Sequence, residues 1–148
     1  MRRGRSRFTA RHREWYGNRV NYFRSMSPAN DGLPQLGRRA RNLGVRVPID
    51  IAPDASGDVL PTTGGLSVSP SAMQLPPYRR PRGFDPAAIG PRGDRVYSVS
   101  EGICHAQELL IRRDTEDHAL VEPRVQMSLY AYEAALNATR PDWKQVFP

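Results

Sequence analysis

Proline and glycine punctuate this chain so densely, at 26 of 148 residues, that long regular elements are excluded from most of it. Each proline fixes φ and removes a backbone donor, and each glycine opens the chain to turns. Residues 70–93 hold six of the 14 prolines and no sustained hydrophobic period. They read as a long structured loop, and such loops in compact domains are often functional. The longest uncharged stretch, Val59 to Tyr78, carries Pro61, Pro70, Pro76 and Pro77, so it cannot cross a bilayer as a plain helix.

The length fits one domain, large enough to fold without disulfides or metal. One cysteine, Cys104, rules out an internal disulfide and a cysteine-based zinc site. His12, His105 and His118 are too scattered to suggest a metal site, and the N-terminus lacks the apolar core of a cleaved signal. Charge is uneven: residues 1–49 hold 12 arginines against Glu14 and Asp31, whereas residues 50–148 hold 10 basic and 13 acidic groups. Residues 1–19 carry seven of those arginines beside Phe8, Trp15 and Tyr16. They read as a basic arm, distinct from a domain over 20–148. The arm fits a solvated extension, a nucleic-acid contact through phosphates, or a transit peptide.

Val20, Tyr22, Arg24 and Met26 alternate with Asn21, Phe23 and Ser25, the period of a strand. Short strands are also predicted at Ile49–Ile51, Leu66–Ser69, Val96–Val99, Glu108–Ile111 and His118–Glu122, with a turn or one helical turn at Gly102–His105. Residues 33–48 show no period. Ser128 is a suitable N-cap for a helix over Leu129–Thr139 that Pro141 stops, with Leu129, Tyr132 and Leu136 on one stripe. Trp143, Val146 and Phe147 form an apolar tail expected to fold back. The fold class is mixed α+β.

Neither a GxGxxG nor a GxxxxGK[ST] stretch is present, and GxSxG and HExxH are missing too. The run Thr62-Thr63-Gly64-Gly65-Leu66-Ser67-Val68-Ser69 combines glycines that allow close backbone approach with hydroxyls that can bond a sugar or phosphate; a plain turn before a strand fits it as well. His118 and Glu122 share a strand face with Cα atoms ~13 Å apart. That separation suits the two ends of an elongated ligand, although a half-buried histidine and a rim carboxylate would look the same. Arg24 interrupts an apolar face, so it either snorkels to the sheet edge or offers its planar fork to a phosphate or carboxylate. Cys104 beside His105 reads as a small core residue.

The blocks Tyr22-Phe23-Arg24, Asp50-Ile51-Ala52-Pro53, Thr63-Gly64-Gly65-Leu66-Ser67-Val68-Ser69-Pro70, His118-Ala119-Leu120-Val121-Glu122-Pro123, Met127 and Tyr132-Glu133-Ala134-Ala135-Leu136, with Thr139 and Trp143, occur in this order. The set resembles the toxin family exported by bacterial type VI secretion whose fold is similar to ADP-ribosyltransferases. The resemblance spans roughly residues 20–145. Leu66 stands where some members carry a hydroxyl, and the arm at 1–19 has no counterpart in the family pattern.

The resemblance implies two small, mostly antiparallel sheets forming a cleft for NAD as substrate, with a C-terminal helix. It implies a toxin acting in the cytoplasm of a target cell, with a cognate immunity protein, an acceptor molecule and a secretion-apparatus component as partners, and no membrane. Carried over by position, Ser67, His118 and Glu122 would be catalytic, and Arg24, Thr63, Gly64, Gly65 and Ser69 would bind NAD. The competing reading is a non-enzymatic basic protein that binds nucleic acid through its arginine-rich N-terminal third.

Overall fold

Strand β1, Asn21–Met26, forms where the alternation predicts it, and Tyr22, Arg24 and Met26 are all buried. The computed structural model describes residues 20–148; the basic arm at 1–19 lies outside the described residues. β1 pairs antiparallel with β4, Arg95–Ser100, and β4 pairs on its other edge with β8, Lys144–Phe147. The apolar tail thus returns as a strand: Trp143 is buried and Phe147 meets Phe84 edge to face at 5.0 Å, while Val146 stays half exposed.

The second three-stranded sheet has the order β3 (Leu66–Val68), β6 (His118–Pro123), β5 (Leu109–Thr115). β5 and β6 make a hairpin, and β3 takes the free edge of β6. A two-residue ladder joins β2, Asp58–Val59, to β7, Met127–Ser128. All pairings between named strands are antiparallel. Helix α1, Glu101–Ala106, links the sheets; its N-cap, Ser100, accepts from Ile103 N–H at 3.3 Å. Helix α2, Leu129–Ala138, starts at the predicted cap, where Ser128 Oγ accepts from Ala131 N–H at 3.0 Å, and buries Tyr132 and Leu136. The protein is therefore α+β, with small antiparallel sheets and a C-terminal helix.

Two expectations change. The strand at Ile49–Ile51 shrinks to one bridge, Ile51 to Gly64, because Pro48 and Pro53 flank it and cannot donate to a longer ladder. Residues 33–48, which show no period, supply Leu43 and Val45 to the core with no exposed surface. They are threaded through it as irregular chain, so periodicity could not find them.

The two larger sheets meet at one point. Phe23 and Ser69 exchange backbone hydrogen bonds of 2.8 and 2.9 Å, so β1 and the end of β3 run side by side. One core, from Tyr22 and Met26 through Val68 and Val121 to Tyr132 and Trp143, fills the space around this seam. Among the described residues no helix is long and apolar enough to cross a membrane, and no cluster of His, Cys, Asp or Glu could hold a metal ion.

Candidate functional site

Arg24 is 5% exposed, and its bonds go to backbone. Nε and Nη2 donate to the Asn42 carbonyl at 3.3 and 2.9 Å, Nη2 also to Ala40 at 2.9 Å, and Nη1 to Ser67 at 2.9 Å. Carbonyls take four of its five N–H donors without neutralising its charge. Burial, reinforced by the nearby Arg79, pushes the guanidinium down to about 9, and Asp50 opposes this only in part.

The guanidinium lies at the wall of a cavity of about 260 Å³ lined by Arg24, Arg46, Asp50, Ser67, Tyr78, Arg79 and His118 among others. Arg79 comes from the proline-rich loop and donates to the carbonyls of Ser25 and Ala40 at 3.0 and 2.8 Å. Its burial also lowers its pKa. Arg46 differs, being held as a cation by hydrogen bonds to the Asp50 carboxylate at 2.9 and 3.1 Å. Tyr78 leaves the same loop with 65% of its surface exposed. A buried cation, a second half-buried one and an exposed aromatic ring can together take an anionic ligand with a planar group attached.

Ser67, Ser69 and His118 line the same cavity. Ser67 faces away from Leu66 and Val68, both buried in the core, as strand alternation requires. His118 begins β6 just after the hairpin turn, and its Nδ1 lies 2.7 Å from Asp114 Oδ1. The carboxylate is an acceptor, so it holds the proton on Nδ1 and leaves Nε2 for a ligand. Of the sequence-predicted residues, Arg24, Ser67, Ser69 and His118 are thus brought together.

Glu122, Thr63, Gly64 and Gly65 are not among the lining residues. Glu122 is wholly buried and paired with Arg112 at 2.7 Å; although it shares a face with His118, Arg112 crosses from β5 and closes over it. The Thr63 hydroxyl donates to Leu60 O at 2.7 Å. The glycines are required by packing of the chain on itself rather than by a ligand. Gly64 has φ +130°, and a Cβ there would stand 2.2 Å from Asp50 O; one on Gly65 would stand 2.3 Å from Val121 O.

Sequence reasoning missed Arg46, Tyr78, Arg79 and Asp114. Asp114 lies past the predicted end of the Glu108–Ile111 strand, which in the structure runs on to Thr115 with an irregularity there. Tyr78 and Arg79 sit in the loop marked for function but reach the site only through its three-dimensional path. Asp50 stands in a block that carries the resemblance yet has no role in it. Cys104 is a core residue, its thiol pushed up to about 12 by burial and then by Glu101.

Arginines 38, 41 and 46, counted toward a basic N-terminal third, pair with Glu133, Asp94 and Asp50, and Arg24 is spent on carbonyls. Three of the five arginines in residues 20–49 are therefore neutralised locally by carboxylates.

Compared with known proteins, residues 22–143 match a family model described as Tse2 ADP-ribosyltransferase toxin. This interval runs from the second residue of β1 to Trp143 and includes every cavity-lining residue named above. No curated protein and no solved structure matches the chain significantly.

Proposed function

The chain belongs to the Tse2 ADP-ribosyltransferase toxin family, and from that premise we propose that its Arg24–His118 cavity binds NAD and that the protein transfers ADP-ribose from it inside a target cell. Membership makes it an enzyme of the ADP-ribosyltransferase class and a toxin, in agreement with the motif blocks. The observation that carries the site assignment is Arg24, a buried guanidinium bonded only to carbonyls. A pyrophosphate against it would supply the missing negative charge and accept the one Nη1–H that the carbonyls leave open.

In this reading the two three-stranded sheets, joined at Phe23 and Ser69, are the halves of an ADP-ribosyltransferase-like cleft. At about 260 Å³ the cavity is smaller than most enclosed ligand sites, so it holds part of the dinucleotide while the rest lies along the open rim beside Tyr78. Arg24 and Arg79 bind the pyrophosphate. Ser67 Oγ and His118 Nε2 hydrogen-bond the nicotinamide ribose, with Asp114 fixing the imidazole. Ser69 closes the wall between them.

The chemistry is cleavage of the nicotinamide–ribose bond and transfer of the electron-poor sugar to an acceptor. Groups that hold the ribose and pyrophosphate still while charge develops lower the barrier without reorganising. Type VI secretion and a cognate immunity protein complete the proposal.

The test is NAD consumption by purified full-length protein, with growth after induced cytoplasmic expression as the cellular counterpart. NAD turnover together with growth arrest is the expected result. Soluble, folded protein that neither consumes NAD nor slows growth would overturn the reading. The competing reading, nucleic-acid binding by the N-terminal third, is weakened by the internal pairing of Arg38, Arg41 and Arg46 with carboxylates.

A further inference from the structure

Glu122 has no exposed surface, and both of its oxygens are engaged. Oε2 accepts from Arg112 Nε at 2.8 Å and lies 2.7 Å from Nη2. Oε1 accepts from the backbone N–H of Thr62 at 3.3 Å. Thr62 has φ +65°, in the left-handed region that a β-branched residue rarely enters. Such a conformation persists only where its surroundings over-determine it.

Thr62 opens the turn that delivers β3. Beyond it the chain is tied at several points: Gly65 N–H donates to Asp50 O at 2.9 Å, and Leu66 N–H donates to the Tyr132 hydroxyl at 3.1 Å. Tyr132 in turn donates to Val121 O, so its hydroxyl bridges β3 and β6. Glu122 holds the first of these ties. Because side chains alternate, a one-residue slip of β3 would send Ser67 to the opposite face.

We propose that Glu122 is a positioning residue: by holding Thr62 N–H it fixes the turn that sets the register of β3, and thereby keeps Ser67 on the cavity wall. This rests on the assignment of that cavity as the NAD site. With both oxygens used and no surface exposed, the carboxylate acts through Thr62 rather than on the substrate.

The test uses full-length protein as wild type, Glu122→Gln, Glu122→Ala and the double variant Glu122→Ala/Thr62→Gly. Each is measured for kcat and KM with NAD, for melting temperature, and for amide hydrogen exchange across residues 62–67. Glu122→Gln has one amide oxygen for two sets of donors, so its kcat is expected to follow exchange at 62–67: within about threefold of wild type where that exchange is unchanged, and lower where it rises. Glu122→Ala is expected to lose about 100-fold in kcat through misplacement of Ser67, and its exchange at 62–67 to rise about tenfold. Thr62→Gly in that background should recover about tenfold of the loss, since glycine enters positive φ without steric cost.

A loss of about 1,000-fold in Glu122→Gln, with melting and exchange at wild-type values, would overturn the proposal by showing that the charge itself serves the chemistry. Unchanged exchange in Glu122→Ala would overturn it as well. If the wild type consumes no NAD, the site assignment fails, and the exchange data alone still decide whether Glu122 holds the turn.

Discussion

The guanidinium of Arg24 donates to the carbonyl of Ser67 at 2.9 Å, tying β1 to β3 across 43 positions of sequence. The cation assigned to the phosphates therefore also locates the strand that carries the site serine. Arg24→Ala should lower stability by about 1–3 kcal/mol, because the carbonyls of Ala40, Asn42 and Ser67 lose a charged donor. NAD binding should be lost with it. Urea unfolding beside calorimetric titration separates the two effects, and a variant that melts and binds like wild type would contradict both roles.

Ser67→Ala should instead leave stability within about 0.5 kcal/mol, as for substitutions away from core features, while activity falls steeply. Val68→Ala is the counterpart: Val68 is 1% exposed in the core, and truncation there should cost about 2 kcal/mol through a cavity yet preserve turnover by the folded fraction. Melts and NAD consumption on the pair decide whether the two faces of β3 divide the work in this way. A Ser67→Ala protein with full activity would remove the serine from the site.

Features that depend on neighbours in sequence were legible, and features made by distant chain crossings were not. The alternation of β1, the Ser128 cap and the strand at His118–Glu122 follow from period and capping chemistry within a few residues. The shared face of His118 and Glu122 was legible too, but not the arrival of Arg112, which turns one end of that face into a closed ion pair. Gly64 and Gly65 marked a close backbone approach, expected of a ligand. Sequence could not say that the approaching groups are Asp50 O and Val121 O. Leu43 and Val45 left no pattern because irregular chain has no period, and their segment is pinned instead by Arg24.

Cys104 provides a check on reactivity. Its thiol, pushed up to about 12 by burial, stays protonated at pH 8, and the thiolate is the reacting form. Native protein should resist alkylation by iodoacetamide at that pH and react readily once unfolded in urea. Cys104→Ala should retain NAD turnover. Rapid alkylation of the native protein with loss of activity would reopen the residue as a site group.

Asp114 should matter through His118. The 2.7 Å contact to Nδ1 holds one tautomer and one ring orientation, so Asp114→Ala should cost about tenfold to 100-fold in kcat/KM by misorientation. Asp114→Asn, whose amide oxygen can still accept from Nδ1–H, should cost less, and His118→Ala should cost more than either. The order of the three variants is the informative result. Equal activity in wild type and Asp114→Ala would mean that the imidazole needs no second group to place it.

The extent of the working unit gives the last prediction. β1 begins at Asn21, and among the described residues the first tie to the body is the bond from Glu101 N–H to the Val20 carbonyl at 2.9 Å. Among the described residues the core cluster lies within residues 22–143, the same interval that the family match covers. We therefore expect a protein of residues 20–148 to melt near the full-length chain and to turn over NAD at a similar rate. The nucleic-acid affinity of the full chain is expected to reside chiefly in residues 1–19, because Arg38, Arg41 and Arg46 are already paired with carboxylates. Phosphate-driven binding falls steeply with salt, with a log–log slope of about −0.9 per contact, whereas a cation buried beside a small cavity is little screened. Raising salt from about 50 to 200 mM should thus weaken DNA binding by the full chain by orders of magnitude and leave NAD turnover nearly unchanged in both proteins. Aggregation or inactivity of the 20–148 protein would place Trp15 and Tyr16 within the domain, and salt-dependent DNA binding retained by that protein would place a basic surface on the body itself.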